Sequence, residues 1–166
     1  MPQAHPLLNG IHDTALGQFM VDQSWFFSVC ETLHFFGLCL LMGSLLVVDL
    51  RLMDCMKGVP VRLALRFVPF AIAGLIINVV TGICFYASNP QGYWTNWMFV
   101  VKMGLVVLAT ANALYFTLVE EKHVLALPEG APMPRGTKIF AFASLLLWTL
   151  VLIAGRALPA TSDGNG

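Results

Sequence analysis

The sequence predicts an all-α integral membrane protein: a four-helix up-and-down bundle preceded by an N-terminal amphipathic interfacial helix. Three observations carry this. Of 166 residues, 58% are hydrophobic and only 11% are charged, against about a quarter charged in ordinary soluble domains. Four stretches, about 24–48, 67–88, 97–119 and 137–158, reach the roughly 20 apolar residues that a membrane-crossing helix needs. The segments between them are short and polar. The length suits one domain, divided as 1–23 before the bundle, 24–158 within it and 159–166 as a tail.

In residues 1–23, "MPQAHPLLNGIHDTALGQFMVDQ", Leu8, Ile11, Ala15, Phe19 and Met20 recur at helical spacing, and there is no Lys or Arg. This predicts a short amphipathic helix on the membrane surface. No basic n-region or small-residue cleavage site appears, so no removable signal is expected. The first span leads into "DLRLMDCMKGVPVRLALR", where Pro60 starts a short amphipathic lead-in and Pro69 is expected to bend the entry of the second span. The second link, "SNPQGYWTNW", has no charge. The third, "EEKHVLALPEGAPMPRGTK", is rich in proline, glycine and charge, as a surface loop should be.

Four of the nine Lys and Arg fall between residues 51 and 66 and three between 122 and 138. The positive-inside rule puts those two links in the cytoplasm and both termini outside, as expected for a bacterial inner-membrane protein with periplasmic termini. Trp25, Tyr93, Trp94 and Trp97 then gather at the outer interface. Formal net charge is zero, which gives no reason to expect nucleic acid as a partner. The expected partners are the lipid bilayer and other membrane or periplasmic subunits.

The polar residues of the spans concentrate in the outer half. At 1.5 Å per residue, Glu31 and His34 lie roughly 10–15 Å below the outer surface. Asn78 and Thr81 sit at similar height on the second span, Lys102 about two turns into the third, and Arg156 near the outer end of the fourth. Helical phase groups Glu31, His34, Leu38, Leu41 and Leu45 on one face. It groups Gly74, Asn78, Thr81 and Gly82 on another, then Lys102, Leu105, Ala109 and Asn112, and finally Thr149 with Arg156. Charges within a bilayer cost several kcal/mol and normally face a bundle interior with a partner. Glu31 is therefore expected to pair with Lys102 or Arg156 and to orient His34.

An intramembrane imidazole facing other helices suits an axial haem ligand, with Lys102 and Arg156 placed for two propionates. Haem b held by His34 and braced by Lys102, Arg156, Asn78, Glu31 and Thr81 is thus one reading. It makes the chain a small subunit for membrane electron transfer rather than an enzyme in its own right. No other span supplies a histidine, so a second imidazole would have to come from His12, or less readily His5, reaching over from the N-terminal segment; Met42, Met98 and Met103 offer thioethers, and five-coordinate or other ligation stays open. A second reading is a non-catalytic accessory or assembly subunit of a larger membrane complex, padded by its glycines. A third is copper handling, with Cys30, Cys84, Met98 and His34 as soft donors at the outer end. A Cys30–Cys84 bridge is also conceivable there. No HExxH, GxSxG or phosphate-loop pattern points to hydrolysis or nucleotide chemistry.

The stretches "ETLHFFGLCLLMGSLLVVDLRLM", "RFVPFAIAGLIINVVTGICFYASNP", "FVVKMGLVVLATANALYF" and "LLLWTLVLIAGR" resemble a family of small four-span bacterial inner-membrane proteins of unknown function, over about residues 25–158. More remotely, the first-span histidine, the "TG" of the second span and the "K-M-x-L" of the third are similar to copper-resistance D-type proteins and HemJ-type protoporphyrinogen oxidases. That likeness implies a metal or haem role for His34 and matches Lys102 to a third-span lysine. Arg156, in "AGR", matches the small family's last-span signature. The additional membrane histidines of a di-haem cytochrome are missing from this chain, which argues against bis-imidazole ligation.

Overall fold

The computed structural model describes residues 6–128 and 130–162. His5 and the end of the tail lie outside them. The described chain is helical, with no strand among its described residues. Two short helices, α1 (Pro6–His12) and α2 (Ala15–Asp22), precede a long α3 (Ser24–Leu52). Then come α4 (Val61–Leu65), α5 (Val68–Ser88), α6 (Pro90–Thr95), α7 (Trp97–Tyr115), a π-helical turn (Phe116–Glu120), α8 (Glu121–Leu125) and α9 (Arg135–Ser162). Four segments are long and apolar enough to cross a membrane: Ser24–Leu52, Val61–Ser88, Trp97–Leu125 and Arg135–Thr161. Large apolar side chains such as Phe36, Val107, Leu118 and Ile139 cover the outside of the bundle.

The expected N-terminal helix is two helices with a corner between them. Thr14 caps α2 by accepting from the Gly17 amide at 3.2 Å. Glycine is needed at position 17 because a Cβ there would strike the backbone carbonyls of His12 and Ala87. α1 packs onto α5 and α6, and α2 onto α5 and α3. The expected bend near Pro69 is a break at Arg66–Phe67, and Pro69 occupies the first turn of α5. A proline has no N–H and collides with the carbonyl four residues back, so α4 cannot run straight into α5. The uncharged second link contains a short helix, α6. Asn89 caps α6 through the Gly92 amide at 3.0 Å and Pro90 follows it.

The bundle is made of two helical hairpins. α3 packs along α5, α7 packs along α9, and α3 and α9 join the pairs, whereas α5 and α7 scarcely meet. The α3–α5 contact is close because Gly37 faces Gly74. A Cβ on Gly74 would lie 2.6 Å from the Gly37 carbonyl oxygen and the Leu41 nitrogen. Gly82, expected to share this role, faces open space.

Each end of the bundle is tied. At the charged end, Asp54 adopts φ 62° and accepts from Arg51 Nη1 at 3.4 Å, Lys138 Nζ at 2.8 Å and the Met133 amide at 3.1 Å. Arg51 also donates to the Val59 carbonyl. The Lys138 hydrogen bond and the Met133 amide hold the Asp54 carboxyl below the usual carboxylate range. At the opposite, tryptophan-bearing end, Asn96 caps α7 through the Met98 amide at 2.9 Å. It also donates to the Leu158 carbonyl at 3.1 Å and accepts from the Thr161 hydroxyl at 3.0 Å.

Candidate functional site

Four helices converge on His34, near the tryptophan end. α3 supplies the imidazole and α5 supplies Thr81, whose Oγ1 lies 2.7 Å from His34 Nδ1. The same hydroxyl lies 2.7 Å from the Ile77 carbonyl oxygen, which has no proton to offer. The single hydroxyl proton must therefore sit between those two oxygens, and Thr81 accepts from His34. This puts a proton on Nδ1, so that in the neutral imidazole the lone pair is on Nε2. Phe85, one turn above Thr81, presents its ring edge-on at a centroid distance of 5.4 Å. Lys102 of α7 lies within electrostatic reach of His34. Its stem rests on α9, where the place of a Gly155 Cβ is 3.4 Å from Nζ.

Asn78 stands between this site and the Gly37–Gly74 crossing. Its amide donates to the Gly74 carbonyl at 2.8 Å, and its own Oδ1 is buried without a partner. His34, Thr81 and Asn78 thus come together, as their phases predict, while Lys102 stands across from them against Gly155. Lys102, Leu105, Ala109 and Asn112 do share one face. Ala109 is fully buried and Asn112 donates to the Phe140 carbonyl at 3.3 Å.

Glu31 and Arg156 do not join them. Both are exposed on the outside of the bundle, and neither makes a hydrogen bond or ion pair among the described residues. The expected Glu31 pairing with Lys102 or Arg156 is not formed, and Glu31 does not orient His34. The reason is phase. The buried seam of α3 runs through Cys30, Gly37, Leu41, Ser44 and Val48, one residue away from the face that would contain Glu31. On α9 the seam is Ala141, Ser144, Trp148, Val151 and Ala154, which sends Thr149 and Arg156 outward.

His12 is half-exposed, and its Nδ1 lies 3.4 Å from the Asp13 carboxylate. No hydrogen bond or ring contact joins it to His34. Among the described residues no group of three or more His, Cys, Asp or Glu could hold a metal.

Beside the histidine, Cys30 and Cys84 are buried against one another as free thiols, with Met20 Sδ 4.0 Å from Cys30 Sγ. Met20, not the expected Met98, completes this sulfur cluster, with Phe26 and Phe85 around it.

Sequence reasoning missed one polar residue altogether. Asp49, taken as part of the link after the first span, is inside α3, which continues to Leu52. It is 4% exposed, on a cavity between α5 and α7. A signal was available, since Asp49 falls four residues after Leu45 and eight after Leu41 on the same helical face.

Residues 6–160 match a family of unknown function, DUF6644. The chain belongs to that family. No curated protein and no solved structure matches it. Membership in the family agrees with the resemblance to small four-span proteins of unknown function. The likeness to copper-resistance D-type and HemJ-type proteins rests on the short motifs alone.

Proposed function

We propose that this is a multi-pass membrane protein, with both termini on the periplasmic side of a bacterial inner membrane. In this reading it serves membrane electron transfer by holding a redox ligand, haem b, at His34. One observation carries the reading: His34 Nδ1 lies 2.7 Å from a Thr81 hydroxyl already turned to the Ile77 carbonyl, which makes Nδ1 the donor and Nε2 the nitrogen open to a ligand. Metal-ligating histidines almost always donate their second ring nitrogen to a fixed acceptor, which sets the tautomer and the ring orientation. The donor set fits one imidazole, His34, that would hold the group, and one ammonium, Lys102, that would pair with a carboxylate of it. Haem would supply one-electron chemistry. The chain's own residues would orient the imidazole through Thr81, hold an anionic edge through Lys102, and keep water out through Phe85 and the apolar span faces. The Gly37–Gly74 contact leaves no slot for a flat macrocycle between α3 and α5, so a ligand would approach from the α7–α9 side.

The test is an absorption spectrum of the detergent-purified protein grown with haem supply. A Soret band that is lost in His34→Ala and shifted in Thr81→Val is the expected result. A colourless wild-type protein that does not take up added haemin would overturn the reading.

Two observations favour other functions. Unpartnered Glu31 and Arg156 on the outer face of the bundle favour an accessory subunit whose neighbour supplies the opposite charges. Copurification of further subunits with a colourless protein would support it. The buried Met20, Cys30 and Cys84 sulfurs favour copper handling, because soft thiolate and thioether donors select Cu(I). Stoichiometric copper that disappears in Cys30→Ser would support that one.

A further inference from the structure

The half of the bundle near the charged end contains a cavity of about 220 Å³. Its floor is α3 and α9 and its sides are α5 and α7. The walls are largely apolar, including Leu41, Leu45, Leu75 and Phe116. Two polar atoms on it have no partner: Asp49 Oδ2 and Trp148 Nε1. Both residues are more than nine-tenths buried, at 4% and 3% exposure. Ser144 hydrogen-bonds to the Asp49 carboxyl, so that hydroxyl is already engaged.

A buried donor or acceptor left alone costs about 1–3 kcal/mol. Here an orphaned acceptor and an orphaned donor border the same space. A hydroxyl group both donates and accepts, the two functions left open by the carboxyl oxygen and the indole N–H. An ether or an aldehyde offers only an acceptor, and a hydrocarbon offers neither.

Access comes from the side. α5 and α7 scarcely touch, and Ile72 and Leu114 line the cavity while remaining about half exposed on the apolar outer surface. A molecule entering between them arrives from the hydrocarbon region. Its tail stays among apolar side chains while its head reaches Asp49. The volume suits a single-ring or short aliphatic head and is too small for a porphyrin, so this site is separate from the one at His34.

We propose that this cavity binds the hydroxyl head of a membrane-soluble lipid. Two sources share that chemistry, an aromatic quinol and a long-chain aliphatic alcohol. The test uses the full chain in lipid nanodiscs, with a decyl-substituted benzoquinol, dodecanol and dodecane as probes. A hydroxylated probe should raise the unfolding temperature saturably, as a ligand selective for the folded state must. Dodecane should not.

Asp49→Leu should weaken that response at least tenfold. This variant removes a buried acid that has one partner, Ser144, and one oxygen left alone, so it should fold. Trp148→Phe should also weaken binding, and for the quinol it should remove the saturable part of the tryptophan quenching. A response to the quinol alone assigns an aromatic source, and a response to dodecanol assigns an alcohol. No saturable response to either probe would overturn the proposal. So would equal stabilisation by dodecane, or unchanged affinity in both variants. Haem loss in His34→Ala should leave this binding intact, so the two sites fail or succeed independently.

Discussion

Gly74→Ala is the sharpest test of how the His34 site is held. A Cβ at position 74 would lie 2.6 Å from both the Gly37 carbonyl oxygen and the Leu41 nitrogen. Ordinary van der Waals contact begins near 3.4 Å, so α3 and α5 must separate by about 0.8 Å. The obstructing atoms are backbone, which no rotamer change can move aside. Overpacking of this kind costs about 1–3 kcal/mol. The alanine recovers up to about 1 kcal/mol of helix propensity, leaving a net loss of up to about 2 kcal/mol, and a gap of about 1–3 kcal/mol to an alanine placed in open space.

The same separation stretches the 2.7 Å contact between His34 and Thr81 to about 3.5 Å, beyond useful hydrogen-bond length. Gly82→Ala is the control, because nothing lies within 4 Å of a Cβ there. It should be neutral or stabilising. Unfolding by detergent titration, followed by circular dichroism, measures both variants. If Gly74→Ala proves as stable as Gly82→Ala, the two helices are not in contact at this crossing, and the placement of Thr81 against His34 loses its basis.

Asp54→Ala should destabilise the protein by about 3 kcal/mol, because it strips buried Arg51 of its carboxylate and frees Lys138 and the Met133 amide; thermal unfolding reads this. Since the Asp54 carboxyl is held below its ordinary range, its stabilisation is complete above that range and declines as pH falls through it toward the folded value. Asp54→Asn should therefore flatten the acid limb of a melting-temperature profile. Asn96→Ala should cost about 2 kcal/mol, combining a lost helix cap with two lost bonds to α9, measurable by the same titration. Lys102→Leu should leave stability unchanged or raised, because no ion pair holds the lysine in the described structure, while weakening the binding of an anionic ligand several-fold. Stability lost to the same degree as in Asp54→Ala would show that Lys102 is a structural cation.

Much of this architecture is legible in the chain. Hydropathy marks the four long helices, and the segregation of Lys and Arg marks which links share an end. The contacts of Asp54 with Met133 and Lys138 bear out that both charged links lie together. Helical phase found the meeting of His34, Thr81 and Asn78 because each lies on the buried seam or at its edge. It failed for Glu31 and Arg156 because one residue is a rotation of about 100°, and sequence spacing does not locate a seam that precisely. Asp49 was hidden by its neighbours: a carboxylate two residues from an arginine reads as the end of a span. Nothing in "YFTLVE" signals the π-helical turn at Phe116–Glu120. By contrast, Asn89 followed by Pro90 is a recognisable helix start, and it marks α6.

The Asp54 knot has a consequence for biogenesis. Met133 follows Asp54 by 79 positions and Lys138 comes later still, so the first pair of helices leaves the ribosome long before the amide of Met133 and the ammonium of Lys138 exist. Until then the carboxylate has only Arg51 and solvent. The closing of this knot therefore marks the moment when the second hairpin docks, and a chain stalled before residue 133 should remain recognisable to quality-control proteases by an unlatched first half.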